Sequence, residues 1–319
     1  MKKGVVISCK DVSKKFHGQK VLDEISVDFM RGEIFGIIGM SGSGKTTLLN
    51  SLIGFYQTDG GEITYNNEGK MINLEDHPYM LRQLIGFAPQ QPSVYPKLSA
   101  LENLHYFGVL YKLSNDVIRT NTDQLLQLTQ LTDHRKKQAW QLSFGMQKRL
   151  GISCALIHKP KVLILDEPTA DLDPILRSEI WELVKKINQN GTTVIIASHL
   201  LDEVESICHR VGIIHNGTLE KVGPVASLKQ LINQDHQVMV QIVSHKYPLL
   251  LKRLKGKTSL KITSMENVGD KLIIKTKCSE KVMGEILHQV SRMHDKITTI
   301  QITSPSLEDV FKSVYKGKK

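Results

Sequence analysis

Short apolar runs separated by helical patterns mark the first two thirds of the chain. Residues 34–38 (Ile-Phe-Gly-Ile-Ile), 162–165 (Val-Leu-Ile-Leu) and 193–197 (Thr-Val-Ile-Ile-Ala) are apolar throughout, which is typical of strands buried on both faces of a parallel sheet. Helical patterns follow two of these runs, at residues 46–53 and 174–190, and a glycine lies just past each helix. The pattern predicts an α/β frame.

Alternating positions predict antiparallel strands at residues 5–16 and 20–29, and a further strand at 60–65. The polar residues 66–76 predict a loop. A short strand at 84–88 then ends at Pro89-Gln90-Gln91-Pro92, a stiff and irregular connection that suits a polar sensor.

Helical periodicity dominates residues 99–157 and predicts a helical subdomain inserted into the α/β frame, at about 91–160. Its last helix is predicted from residue 142 to 158. Ser143 is a natural N-cap, and the exposed N–H groups behind it form an anion site.

The last part of the chain has a separate pattern, which predicts strand, helix, strand, strand, helix, strand. The predicted strands lie near 238–244, 260–264, 271–277 and 298–303, with helices near 248–255 and 279–293. This order suggests a small α+β domain of the ferredoxin-like kind.

Length and composition favour two domains, which we place at residues 1–224 and 225–319. The chain has 319 residues, of which 40% are hydrophobic and 23% charged. No apolar stretch approaches the ~18 residues of a membrane span, and the basic N-terminus has too short an apolar core for a signal peptide. The four cysteines form no C-x-x-C pair, which indicates reduced thiols in a cytosolic chain.

The net charge of +10 is concentrated in the second domain. Residues 225–319 hold 17 Lys and Arg against 8 Asp and Glu, a net of +9, whereas residues 1–224 hold 25 against 24. Solubility of a small domain and attraction to an anionic membrane surface both account for this charge, and we leave the two interpretations open.

A phosphate-binding motif follows the first apolar run. Residues 39–46 (Gly-Met-Ser-Gly-Ser-Gly-Lys-Thr) match G-x-x-x-x-G-K-[ST], whose glycines let backbone N–H groups point at phosphate oxygens. Lys45 can then reach the β and γ phosphates, and the Thr46 hydroxyl can ligate Mg²⁺.

Polar residues follow the other two apolar runs. Asp166 and Glu167 come at the end of the second run, where we expect one to hold Mg²⁺ and the other to polarise an attacking water. His199 follows the third run and can approach a terminal phosphate. Phe16, just before the second strand, can stack on a nucleotide base.

These motifs, in this order, resemble the ATP-binding subunits of ABC transporters over roughly residues 4–225. In that family Phe16 would stack on adenine, Gln90 would be the loop glutamine, and residues 142–146 (Leu-Ser-Phe-Gly-Met) would be the signature. The resemblance implies a P-loop NTPase core, ATP as the bound nucleotide, and hydrolysis by Glu167, His199 and Gln90. It places Mg²⁺ on Thr46, Asp166 and Gln90. The implied nucleotide contacts are Phe16, Gly39, Ser41, Gly42, Ser43, Gly44, Lys45, Thr46, Thr47, Ser143, Gly145 and Asp173.

The resemblance also implies partners and a location. ATP bound at Lys45 would be closed by Ser143 and Gly145 of a second ATPase subunit, in a homodimer. Residues 304–311 (Ser-Pro-Ser-Leu-Glu-Asp-Val-Phe) resemble the ending of drug-resistance-type export ATPases of the daunorubicin-resistance subgroup, whose permease is a separate membrane polypeptide. The expected location is cytoplasmic, on the inner face of the cell membrane, with no nucleic acid bound.

Two positions depart from the family pattern. Phe144 stands where the signature usually has glycine, and Asp171 replaces a usual small residue. The signature serine and second glycine are kept as Ser143 and Gly145, so we expect activity with a less free local backbone. Asp171 bears on communication between subunits.

The alternative is a soluble ABC ATPase that acts on nucleic acid or ribosomes, with the basic tail as its binding surface. The chain has one phosphate loop, no long coiled-coil pattern, and no clear run of aromatics interleaved with the basic residues of its tail, which disfavours that reading. A catalytically dead regulatory subunit is disfavoured because Lys45, Asp166, Glu167 and His199 are all present.

Overall fold

The structure, a computed structural model, describes residues 4–231, 236–303 and 306–316. The chain divides into two units, Met1–Val225 and Ala226–Lys319.

Two sheets form the first unit. Its strands are β1 (Val5–Phe16), β2 (Gln19–Met30), β3 (Ile34–Ile38), β4 (Gly60–Asn67), β5 (Lys70–Asn73), β6 (Ile85–Ala88), β7 (Val162–Asp166), β8 (Thr193–Ser198), β9 (Arg210–His215) and β10 (Thr218–Pro224). The larger sheet has the order β10-β9-β3-β8-β7-β6, parallel except for β10 at its edge, and the smaller antiparallel sheet has the order β2-β1-β4-β5. One apolar core, which includes Ile7, Phe29, Leu49 and Ile164, is shared by both sheets.

Helices connect these strands. They are α1 (Lys45–Leu52), α2 (Pro78–Arg82), α3 (Ala100–Leu110), α4 (Asn115–Leu128), α5 (Phe144–Leu156), α6 (Pro174–Gln189) and α7 (Leu201–Ile207). The predicted helical subdomain corresponds to α3, α4 and α5, which contact one another between β6 and β7. The α/β fold class is confirmed. Every residue of the three strands β3, β7 and β8 is buried, as their apolar runs predicted.

The loop predicted at residues 66–76 is wrong. Strand β4 extends to Asn67, and β5 returns antiparallel to it. Gly69, with φ 92°, donates its N–H to Asn66 Oδ1 at 2.8 Å and closes the turn. Because β5 is a short edge strand without a fully buried residue, its sequence lacks the apolar alternation that would have identified it.

The second unit is a four-stranded antiparallel sheet with two helices packed on one face. Its elements are α8 (Val225–Leu231), which begins at the unit boundary, β11 (His236–Ile242), α9 (Tyr247–Leu254), β12 (Ile262–Val268), β13 (Lys271–Thr276), α10 (Ser279–Arg292), β14 (Ile297–Thr303) and α11 (Leu307–Lys316). The strand order β12-β13-β11-β14 is the ferredoxin-like one that the predicted element order suggested. Strand β12 begins two residues and ends four residues later than the predicted strand at 260–264. Of the ending at 304–311, residues 304 and 305 lie outside the described residues.

None of the helices in the described ranges combines the length and the apolar character of a membrane span. The four cysteines are free, and burial raises the thiol pKa of Cys9, Cys154 and Cys208.

A half-buried histidine joins the helical subdomain to the larger sheet. His158, just after α5, donates from Nε2 to the Ile85 carbonyl at 3.1 Å, and its ring stacks on Tyr111 at 3.6 Å. Burial lowers the pKa of His158 to about 4, from an ordinary value of 6.5. The native protein therefore keeps this ring neutral where the unfolded chain would protonate it.

We predict that this histidine makes stability pH-dependent. Between pH 6.5 and about 4 the unfolded state binds a proton that the folded state excludes, so the free energy of unfolding falls as pH falls. His158→Phe keeps the stacking and cannot titrate. Its free energy of unfolding should therefore fall by about 2–3 kcal/mol less than that of the wild type between pH 7 and 4.5. Urea unfolding of both proteins at the two pH values measures this difference, and parallel pH profiles would contradict it.

Candidate functional site

The loop between β3 and α1 has the backbone that the phosphate-binding motif requires. Gly44, the N-cap of α1, has φ 105°, a left-handed conformation that suits glycine. A Cβ on Gly39 would lie 2.3 Å from Ser43 Oγ and 2.6 Å from the Ile214 carbonyl oxygen. Glycine is therefore required at residue 39 because a side chain would collide with the loop itself.

The other predicted loop residues differ in exposure. Ser41 and Gly42 are exposed, Thr47 is half-buried, and Ser43 is buried. The Ser43 hydroxyl has no hydrogen-bond partner within the described residues, although its backbone carbonyl accepts from Gly217 N at 3.2 Å. A buried hydroxyl without a partner marks a polar position that a ligand can satisfy.

Lys45 is buried at the start of α1 and points back into the loop. Its Nζ donates to the carbonyls of Gly39 at 2.9 Å and Met40 at 3.2 Å, and lies 3.8 Å from Glu167 Oε1. Burial lowers the pKa of this ammonium, while the nearby Glu167 and Asp166 carboxylates counteract the shift. The lysine thus joins the loop to the end of β7.

Asp166, the last residue of β7, is buried beside the loop. Burial raises its pKa, and a hydrogen bond from the Thr46 side chain opposes that shift. Its Oδ1 is buried with no hydrogen-bond partner in the described ranges. An unsatisfied carboxylate oxygen next to a threonine hydroxyl is the oxygen-rich setting that Mg²⁺ prefers.

The chain holds no complete metal cage in the part that the structure describes, since no group of three His, Cys, Asp or Glu side chains is placed to bind an ion. Asp166 and Thr46 fit a magnesium ion that takes its remaining ligands from nucleotide phosphates and water, which is the usual arrangement for Mg²⁺. Gln90, the third predicted ligand, is exposed in the segment after β6.

Glu167 is held at both ends. Its backbone is left-handed, with φ 46°, and its N–H donates to the Ala197 carbonyl at 2.9 Å. Its Oε2 accepts a hydrogen bond from Nδ1 of His199 at 2.8 Å. The histidine side chain is 55% exposed, whereas the glutamate side chain is 11% exposed. The pair therefore presents an oriented carboxylate at the edge of the sheet.

The side chains of Ser143 and Asp173 accept hydrogen bonds from their own helices and not from the cluster of Lys45, Asp166, Glu167 and His199. Ser143 is the N-cap of α5 and accepts from Met146 N at 3.3 Å, and Gly145 is buried close to Leu176. Asp173 caps α6 by accepting from the N–H groups of the second and third residues of that helix. Their predicted contacts with nucleotide stay predictions.

The predicted base-stacking residue, Phe16, is half-buried at the end of β1. Its ring packs edge-on against Tyr56, with centroids 5.1 Å apart, and Lys14 Nζ lies 5.5 Å from the ring centre. Tyr56 was not predicted from the sequence. Its position shortly after α1, next to a second aromatic residue, was the available signal.

A second unpredicted residue, Lys148 on α5, lies buried against the site. Its Nζ donates to the carbonyls of Gln90 at 2.9 Å and Glu167 at 3.2 Å. Its position on α5, one helical turn before the apolar Ile152, was the signal in the sequence that could have identified it.

Comparisons with known proteins agree on one family. Residues 22–170 match the family described as "ABC transporter". The chain is 32% identical over 308 residues to the linearmycin resistance ATP-binding protein LnrL of Bacillus subtilis (strain 168), covering 96% of this chain and 97% of that protein. It is 30% identical over 321 residues to the bacitracin transport ATP-binding protein BcrA of Enterococcus faecalis, covering 98% and 97%.

A solved structure resembles the first part of the chain. It is the dimeric structure of a post-hydrolysis state of the ATP-binding cassette MJ0796 bound to ADP and Pi, with a TM-score of 0.60 and 28% identity. The similarity covers 68% of this chain and 98% of that one.

We predict that Gly39→Ala weakens nucleotide binding by at least about tenfold, because the added methyl group would displace Ser43 or the Ile214 carbonyl. The matched control is Gly151→Ala in α5, where a Cβ meets nothing within 4 Å and should stabilise the helix by up to about 1 kcal/mol. Equilibrium binding of a fluorescent ATP analogue compares the two variants. Unchanged affinity in Gly39→Ala would show that the loop tolerates the side chain.

Proposed function

Because this chain belongs to the ABC transporter family, as one of its ATP-binding subunits, we propose that it hydrolyses ATP at the Lys45–Glu167 cluster to drive a separate membrane permease. It is an ATPase, and we assign it to export because its relatives are named for linearmycin resistance and bacitracin transport. The observation that supports the proposed site is the contact of one buried lysine with the carboxylate that His199 orients.

We propose the following division of work. Lys45 and the N–H groups of the loop bind the β and γ phosphates, and Lys45 offsets the charge that develops on the γ-phosphate. Glu167 accepts a hydrogen bond from the attacking water and so orients it, while His199 holds the carboxylate in place. Phosphoryl transfer needs little beyond positioning and charge stabilisation, which these groups provide.

Magnesium is a further proposal. When bound, Mg²⁺ neutralises charge on the β and γ phosphates. Asp166 and Thr46 would hold it, because one Asp166 oxygen lacks a partner among the described residues and the Thr46 hydroxyl lies beside the same carboxylate. We propose Gln90 as a third contact, together with a role in sensing the nucleotide.

The dimer is also a proposal. We propose that Ser143 and Gly145 of a second copy close over ATP, with Asp173 near the same interface and Phe16 stacked on adenine. The exposed position of Ser143, at the N-terminus of α5, supports this arrangement. The dimeric ADP-bound cassette noted above is consistent with it.

We further propose that the permease holds the subunit at the inner face of the membrane, with the cassette in residues 1–224, its helical subdomain at about 91–160, and an accessory domain in residues 225–319. The names of the relatives refer to resistance and transport. They give no support to the alternative, a soluble ATPase that acts on nucleic acid or ribosomes.

We predict that Glu167→Gln binds ATP with near-normal affinity and loses at least about a hundredfold in turnover, because the neutral amide polarises and orients the attacking water far less than the carboxylate does. ATP binding and steady-state phosphate release measure the two effects separately. Asp202→Asn, an exposed carboxylate in the first turn of α7, serves as the control. Turnover near that of the wild type would remove Glu167 from the catalytic role.

We predict that a chain ending at Val225, the boundary of the first unit, binds ATP within about threefold of the full chain. Every proposed nucleotide contact precedes that residue. The truncated chain should be impaired in dimerisation or in association with the permease, since we propose that the second domain stabilises one of these assemblies through contacts outside the nucleotide site. Loss of ATP binding by a folded truncated chain would show that the second domain contributes to the site.

A further inference from the structure

Lys148 connects three separate segments of the first unit. It lies on α5 with 5% of its surface exposed. Its ammonium donates to the backbone carbonyl of Gln90 at 2.9 Å and to that of Glu167 at 3.2 Å. The helix that begins with Ser143 is thereby tied to the segment after β6 and to the end of β7.

A buried ammonium needs compensation, and the surroundings of Lys148 supply it. Burial lowers its pKa, and the carboxylates of Asp171, Glu167 and Asp166 act against that shift, with Asp171 the strongest of the three. The Phe144 ring lies 5.3 Å from Nζ, within the range of a cation–π contact.

The two departures from the family pattern therefore both act on the Lys148 ammonium. Phe144 supplies an aromatic face to the Lys148 ammonium, and Asp171 is the carboxylate that most strongly opposes the lowering of the Lys148 pKa by burial. Asp171 also has φ 64°, a left-handed conformation that aspartate adopts more readily than most residues. Both residues therefore have an interaction in this structure that the usual small residue would not provide.

The contact with Glu167 matters because of its backbone. At φ 46° the residue is left-handed, and its carbonyl also accepts from Ala170 N at 3.2 Å. The orientation of the Glu167 peptide sets the direction in which the Glu167 side chain leaves the backbone. Lys148 holds that carbonyl, and His199 holds the carboxylate at the other end of the same residue.

We propose that Lys148 is a positioning residue for ATP hydrolysis, which fixes the backbone of Glu167 and of Gln90 to helix α5, and that Phe144 and Asp171 stabilise its charge. The inference rests on the proposed catalytic role of Glu167. It predicts that removing the ammonium impairs turnover more than nucleotide binding, because Lys45 and its loop are untouched.

The test is a set of variants at residue 148 in the full-length protein. Lys148→Met should lower kcat at least about tenfold while the ATP dissociation constant stays within about threefold. Lys148→Arg, which keeps the charge and the donors, should recover kcat to within about threefold of the wild type. Steady-state phosphate release and ATP binding provide the two readouts.

The matched control is Arg149→Met. Arg149 is the next residue on α5, is also buried, and donates to the Thr129 carbonyl at 3.4 Å inside the helical subdomain. This variant should lose stability and, where folded, keep kcat within about threefold. An equal fall of kcat in the two variants would reduce Lys148 to general support of the helix and overturn the inference.

Glu167→Gln, measured beside these variants, separates the two proposals. If it stops turnover and a folded Lys148→Met does not lower kcat, the inference on Lys148 is wrong and the proposed function stands. If Glu167→Gln turns over normally, the catalytic assignment is wrong, and the positioning role falls with it.

A double-mutant cycle decides the matter should Lys148→Met fail to fold. Asp171→Asn suits the left-handed backbone and removes only the charge, so it should lower kcat about twofold to fivefold when Lys148 is present. In a Lys148→Gln background, which has no ammonium to stabilise, the same change should have no effect. Equal effects in both backgrounds would overturn the inference.

Discussion

Parallel pairing of three buried strands determines where the charged groups of the site lie. Ile38 of β3 pairs with Ser198 of β8, and Asp166 of β7 pairs with Ala197 of β8, so the three strands end almost level. The chain leaves β3 into the phosphate loop, β7 into Glu167 and β8 into His199. A shift of one of these strands by one residue would turn every side chain of that strand to the opposite face of the sheet and separate these groups. The site therefore depends on the apolar residues that fix the pairing.

Electrostatic balance is the second requirement, since this edge of the sheet is buried. Burial lowers the pKa of Lys45 and of Lys148, and the nearby carboxylates of Asp166 and Glu167 oppose both shifts. Burial raises the pKa of Asp166, and the two lysines oppose that shift. Removing one partner of a buried pair leaves an uncompensated charge, which typically costs about 3–5 kcal/mol.

Motifs with fixed spacing were predictable from the sequence, whereas contacts across the fold were not. The phosphate loop, the buried strands and the cap at Ser143 follow from local rules of backbone geometry and periodicity. Strand β5 escaped because an edge strand needs no apolar face. Lys148 escaped because its partners are backbone carbonyls some 58 and 19 residues away in the chain, and no side-chain pattern records them. The packing of Tyr56 on Phe16 is likewise a tertiary contact between separate elements.

In the segment between β7 and α6, two charged residues adopt a backbone conformation that favours glycine. Glu167 and Asp171 are both left-handed without being glycine, at a cost of about 1–2 kcal/mol each. Glycine would relieve the strain at residue 167, but it would remove the carboxylate that His199 contacts. Two hydrogen bonds hold the strained turn: Ala170 N donates to the Glu167 carbonyl, and Glu167 N donates to the Ala197 carbonyl. Asp173 closes the turn by capping α6. The helix cap and the two hydrogen bonds together stabilise this turn despite its strain. The left-handed backbone is therefore kept at a position that needs a charged side chain, and it fixes the direction of the Glu167 carboxylate.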